Sequence, residues 1–174
     1  MTKFILISIM NLLNSLSLPS EKATKDVMTL ARLACSEAGY DLEEGRRVLR
    51  VVYNRSQRRG TTVVREATRR GQFYLKNCTG KHKDWLKWGH IKLAIQAVAG
   101  KIKAKEAVIN KTSVIYFATS KRLAANHPRC KGYTIREVWE WSGLKHVLTT
   151  RVGHEYFEKL HNRAGCPHKE ANGR

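Results

Sequence analysis

Glu37 has the position in this chain that best suits acid–base chemistry. At about 100° per residue it falls in one helical stripe with Ala23, Val27, Leu30, Leu33 and Ala34. Ala38 and Gly39 follow, and glycine in that place is a usual helix stop. Glu37 is therefore expected in the last turn, at the negative end of the helix dipole. Desolvation and the dipole both favour the protonated carboxyl, the state a general acid needs at neutral pH. The competing reading is a helix-end glutamate that reaches solvent or pairs with one of the many arginines. Asn54, Gln72, Tyr116 and Tyr156 carry groups suited to amide and hydroxyl recognition, and Phe73 lies beside Gln72 in a polar stretch. Cys78-x-x-x-His82, His127-x-x-Cys130 and Cys166-Pro-His168 do not make a regular two-plus-two zinc knuckle, so no metal and no cofactor are expected.

The elements that must hold these groups follow from caps, periodicity and breakers. Ser20 starts a helix to about Ala38, with Pro19 outside it. Asp41-x-x-Glu44 opens a second helix to about Arg58, stopped by Gly60. Val48, Leu49 and Val52 share one face of it and Arg46, Arg47, Arg50 and Arg58 the opposite one, with Arg55 at the border. Thr61 or Thr62 caps a short helix ending at Gly71, and residues 72–83 read as a loop. A fourth helix runs from about Asp84 to Ala99, and Trp85 and Trp88, at helical spacing, are expected in the core. Val114 to Ala118 is the best strand, followed by a surface loop from Ser120 to Tyr133. Val138 to Trp141 and His146 to Phe157 are expected as further short strands, the latter turning at Gly153.

At 174 residues the chain has room for one domain with a substantial core, not for a second of ordinary size. Residues 1–20 read as a secretory signal or as an N-terminal helix, too short and interrupted to span a bilayer. Residues 21–160 form the expected catalytic domain, and 161–174 a basic tail. Lys and Arg number 33 against 14 acidic residues, a formal charge of +19, which implies a polyanionic partner such as nucleic acid, an anionic membrane face or a bacterial envelope. Cys35 is expected as a buried thiol, whereas Cys78 and Cys130, both in predicted loops, could pair in an oxidising compartment.

Read in order, the segments Leu30-Ala31-Arg32-Leu33-Ala34-Cys35-Ser36-Glu37-Ala38, Gly45, Val51-Val52-Tyr53-Asn54-Arg55, Gly71-Gln72-Phe73, Ala97-Val98-Ala99-Gly100, Tyr116-Phe117-Ala118 and Arg151-Val152-Gly153-His154-Glu155-Tyr156-Phe157 resemble the SleB-like cell-wall hydrolases, the family of spore-cortex-lytic enzymes. The similarity spans roughly residues 27 to 158. It implies an α+β fold like goose-type lysozyme and the lytic transglycosylases, mainly helical with a small β-sheet. It also implies cleavage of the N-acetylmuramic acid to N-acetylglucosamine bond of peptidoglycan, with Glu37 as the catalytic acid and base. Asn54, Arg55, Gln72, Phe73, Tyr116 and Phe117 carry over as groove and structural positions. The family tends to close with Gly-x-His-x-Phe-Tyr; here His154 comes one place early, and Glu155 occupies the histidine position. His154, Glu155 and Tyr156 complete the expected substrate-binding set.

A lytic transglycosylase can use one carboxyl for both proton steps, whereas a hydrolytic muramidase needs a second carboxylate or a positioned water. Asp41, Glu43, Glu44, Glu66 and Glu155 are the candidates for that second role. The expected partners are peptidoglycan glycan strands and anionic envelope polymers or lipopolysaccharide, approached by a monomer. The expected setting is the periplasm or cell wall after export, or release from a phage-infected cell. The strongest rival comes from the stretch Gly45 to Gly71, with nine arginines against the single acid Glu66, which suits a nucleic-acid face. No zinc finger, aromatic RNA-binding motif or recognition-helix pattern accompanies it, so no specific nucleic acid is expected. A membrane-disrupting basic protein that inserts residues 1–18 is the third reading.

Overall fold

The computed structural model describes residues 20–70, 73, 78, 86–119 and 134–160. These expectations for residues 1–19, 120–133 and 161–174, and for Gln72, fall outside the described residues. The fold is mixed α+β, mainly helical with one small antiparallel sheet, and the chain divides after Thr112 into two compact units.

Among the described residues the first unit contains four α-helices: α1 (Ser20–Ala38), α2 (Leu42–Arg58), α3 (Val63–Ala67) and α4 (Trp88–Val98). In α1 the apolar stripe is buried as its spacing requires, with Val27, Leu30, Leu33 and Ala34 wholly inaccessible. Gly39 ends the helix at φ 59°, and its N–H donates to the Cys35 carbonyl at 2.8 Å. Asp41 then caps α2, accepting from Glu44 N–H at 2.9 Å. Gly45 lies where α1 and α2 meet; a Cβ there would stand 3.4 Å from that of Ala34. Thr62 Oγ1 accepts from Arg65 N–H to cap α3, which has five residues and ends short of Gly71. In α4, Ile91, Leu93, Ala94, Ile95 and Ala97 face the core. Trp88 is not a core residue: it lies on one i, i+4 line with exposed Lys92 and half-buried Gln96, and is 38% exposed.

The arginine face of α2 is covered along Arg46, Arg47 and Arg50, which are half-buried, and open at Arg58. Residues 101–110, which include a 3-10 turn (Ala107–Asn110), lie along it. Arg50 donates to the carbonyls of Ile102 and Asn110 at 2.9 and 2.7 Å. Arg47 Nε donates to Glu106 at 3.0 Å, and Arg46 donates to Gln96 at 3.1 Å. The Asn110 side chain closes the connection on itself by bonding both the N–H and the carbonyl of Ala104 at 2.8 Å. A run that reads in sequence as one charged face thus serves largely as an internal clasp.

The described residues of the second unit form β1 (Val114–Thr119), α5 (Ile135–Trp141), β2 (Leu144–Thr149) and β3 (His154–Lys159), with sheet order β1-β3-β2, all antiparallel. The expected strand over Val138 to Trp141 is instead the end of helix α5. Thr134 and Glu137 form a capping box in which Thr134 Oγ1 accepts from Glu137 N–H and Glu137 accepts from Thr134 N–H at 2.6 Å. That local cap outweighs the β-preference of Val138, Trp139 and Trp141. Gly153, at φ 84°, sits in the β2–β3 turn, as expected. Trp139 packs edge-on against Phe157 at 5.0 Å and against Tyr116 at 5.5 Å, fixing α5 to one sheet face. The opposite face carries Phe117 against Tyr156 at 5.7 Å and His154 at 5.5 Å.

Candidate active site

Glu37 lies in the last turn of α1, half-buried, where the apolar stripe runs out. Two neighbouring constraints hold that turn. Cys35, two residues earlier, is bonded to Cys78 with a Cα separation of 6.0 Å. This corrects both cysteine expectations: Cys35 is not a thiol, and Cys78 pairs with it rather than with Cys130. Neither cysteine is then available to a zinc set, and the described residues hold no cluster of three or more His, Cys, Asp or Glu.

The second constraint is His90, which the sequence reading passed over. It is fully buried in α4, with Nδ1 3.0 Å from the Lys87 nitrogen and Nε2 2.9 Å from the Gly39 oxygen. Because the Lys87 backbone nitrogen can only donate, Nδ1 accepts and Nε2 carries the proton it donates to Gly39. Burial, which outweighs these hydrogen bonds, lowers the His90 pKa and keeps the ring neutral. A neutral imidazole thus ties the glycine that ends α1 to the start of α4. The available sequence signal was a histidine at the third position of a helix, but its partner is 51 residues away.

Beyond the turn lie three exposed large side chains: Tyr40, 61% exposed, Leu42 and Trp88. Lys87 Nζ sits over the Tyr40 ring at 5.7 Å, and the Leu42 side chain fills the space beside Gly89. These contacts place the α1–α2 turn, which follows Glu37, beside the first residues of α4, with Tyr40 and Trp88 both exposed. Aromatic faces of this kind stack on sugar rings.

The remaining expected site residues divide between the two units. Asn54, expected as a substrate contact, is wholly buried in α2, and its Nδ2 donates to the carbonyls of Ile109 and Lys111 at 3.0 and 2.8 Å. Phe73 is half-buried under the Arg55 guanidinium, 5.2 Å from its centroid. In the second unit Tyr116 and His154 are half-buried, whereas Tyr156 is wholly buried in β3 and unavailable to a glycan. Glu155 is 5% exposed, with the Arg136 guanidinium 3.4 Å away.

The candidates for a second carboxylate are all engaged. Asp41 caps α2. Glu43 lies 3.3 Å from Arg46, and Glu44, wholly buried, 3.1 Å from Arg47. Glu66, 1% exposed, binds Arg55 at 2.8 Å and Arg59 at 2.7 Å. Asp41 serves as a cap and Glu44 and Glu66 sit in buried ion pairs, whereas the Glu43–Arg46 pair is exposed.

Comparison with protein-family models, with curated proteins and with solved structures finds no match to this chain.

Proposed function

We propose that this protein is a lysozyme-like peptidoglycan glycosidase of the SleB-like kind, which cleaves the N-acetylmuramic acid to N-acetylglucosamine bond as a lytic transglycosylase through Glu37. Glu37 gives its proton to the departing glycosidic oxygen. As the carboxylate it then takes the proton of the muramic C6 hydroxyl, whose oxygen closes a 1,6-anhydro ring on C1. The observation that carries this reading is the commitment of Asp41, Glu44, Glu66 and Glu155 to a cap and to ion pairs, which favours a one-carboxyl mechanism over a two-carboxylate muramidase. The Cys35–Cys78 bond and the His90–Gly39 contact support it by fixing the turn that presents Glu37. Tyr40 and Trp88 supply the stacking surface for the sugar rings. The enzyme works as a monomer, without cofactor, on the cell wall after export or after release from a phage-infected host.

The nucleic-acid reading loses much of its support, because Arg46, Arg47, Arg50, Arg55 and Arg59 have defined partners within the protein. The test is mass spectrometry of fragments released from purified peptidoglycan by wild type and Glu37→Gln. Anhydromuramic ends from wild type alone are expected. Reducing ends alone would make it a muramidase, and no cleavage by the wild type would discard the enzyme reading.

A further inference from the structure

Three of the arginines outside the α2 clasp are gathered elsewhere. Arg59, Gly60, Thr61, Arg65, Glu66, Thr68 and Arg69 line a pocket of about 580 Å³ between the end of α2 and α3. That volume lies within the roughly 300–1,000 Å³ of small-molecule sites. Gly60, at φ 59°, turns the chain, and Thr61 N–H donates back to the Ser56 carbonyl at 3.0 Å, so the pocket has a fixed backbone rim. Both Glu66 oxygens lie within 2.8 Å of Arg59 Nη1, and Arg55 holds the same carboxylate from within the core. Glu66 is thereby neutralised by residues other than Arg65 and Arg69. Those two are exposed and have no carboxylate partner among the described residues. Thr61 adds a buried hydroxyl with no hydrogen-bond partner among the described residues. Three arginines against one glutamate leave the lining with a net positive charge.

We propose that this pocket binds the phosphate group of a phosphorylated saccharide, with Arg65 and Arg69 as the phosphate-binding cations and Thr61 as a hydroxyl partner. The phosphate assignment rests on the pocket alone. The saccharide assignment rests on the glycan-cleaving reading: a sugar-phosphate unit of an anionic envelope polymer would hold the enzyme at its substrate. Guanidinium groups suit phosphate because their planar N–H pairs match two oxygens at once. A pocket of this volume, with its free cations confined to Arg65 and Arg69, accommodates one phosphorylated unit, whereas a continuous polymer backbone needs an extended track of cations.

The test is calorimetric titration of the full chain with N-acetylglucosamine 1-phosphate, N-acetylglucosamine, inorganic phosphate and a short single-stranded oligonucleotide. Wild type is expected to bind the sugar phosphate more tightly than inorganic phosphate and to ignore the neutral sugar. Arg65→Ala and Arg69→Ala should each weaken the sugar phosphate about tenfold or more, and Arg65→Lys/Arg69→Lys should recover part of the loss. Unchanged affinity in Arg65→Ala/Arg69→Ala overturns the site. Equal affinity for inorganic phosphate overturns the saccharide assignment, and oligonucleotide binding that needs both arginines, without sugar-phosphate binding, replaces it with a nucleic acid. Because the readout is binding, it fails separately from Glu37. Cleavage of peptidoglycan without sugar-phosphate binding discards only the pocket, whereas binding without cleavage discards only the glycosidase.

Discussion

Asn54→Ala separates a structural amide from a substrate contact. The substitution removes two hydrogen bonds from a wholly buried side chain and leaves the Ile109 and Lys111 carbonyls without their donor. The bond to Ile109 is buried, so that carbonyl cannot recover a partner from water, and its loss should cost about 2 kcal/mol. The bond to Lys111 is only partly buried, and water can replace the amide at a cost of about 1 kcal/mol. The sum is about 3 kcal/mol, a large fraction of the roughly 5–15 kcal/mol that holds a domain folded. The assay is urea unfolding followed by far-ultraviolet circular dichroism, with the midpoint and slope fitted together. Under the proposed glycosidase activity, the folded fraction should keep the wild-type KM for peptidoglycan. A stability change below about 0.5 kcal/mol, accompanied by a raised KM, would refute the reasoning and restore Asn54 to the substrate groove.

Two further predictions rest on the turn that follows Glu37. Breaking the Cys35–Cys78 bond, which spans 43 residues, should remove up to about 4 kcal/mol of chain-entropy stabilisation; thermal melts with and without reductant measure it, and a peptide map joining Cys78 to Cys130 would contradict the pairing. His90 has a folded-state pKa below its ordinary value, so the unfolded chain binds more protons in that range; its contribution is full above about pH 6.5 and is lost as pH falls through the lowered folded value. In His90→Gln this part of the pH dependence of the unfolding midpoint should vanish, and an unchanged profile would exclude His90 as its source.

Along α1 and α2 much of the answer was written locally. Apolar residues three and four apart set the buried faces, Asp41 set the start of α2, and Gly39 and Gly60 set the stops. The position of Glu37 at the end of the first stripe followed from the same signals. The α5 signal was also present, since Thr134-x-x-Glu137 is a capping box, but the strand preference of the residues after it masked the cap.

What the tertiary structure alone decided was which polar groups are already used. Asn54 looks like a sugar ligand until the carbonyls of residues 109 and 111 come to it, and Arg47 and Arg50 look like a phosphate face until residues 101–110 fold over them. Cys35, Cys78 and His90 found partners 43 to 51 residues away. Helical periodicity and caps act within a turn or two, so one sequence fixes them directly. A polar side chain has several equally good partners in a chain this rich in charge, and only the packing of distant segments selects among them.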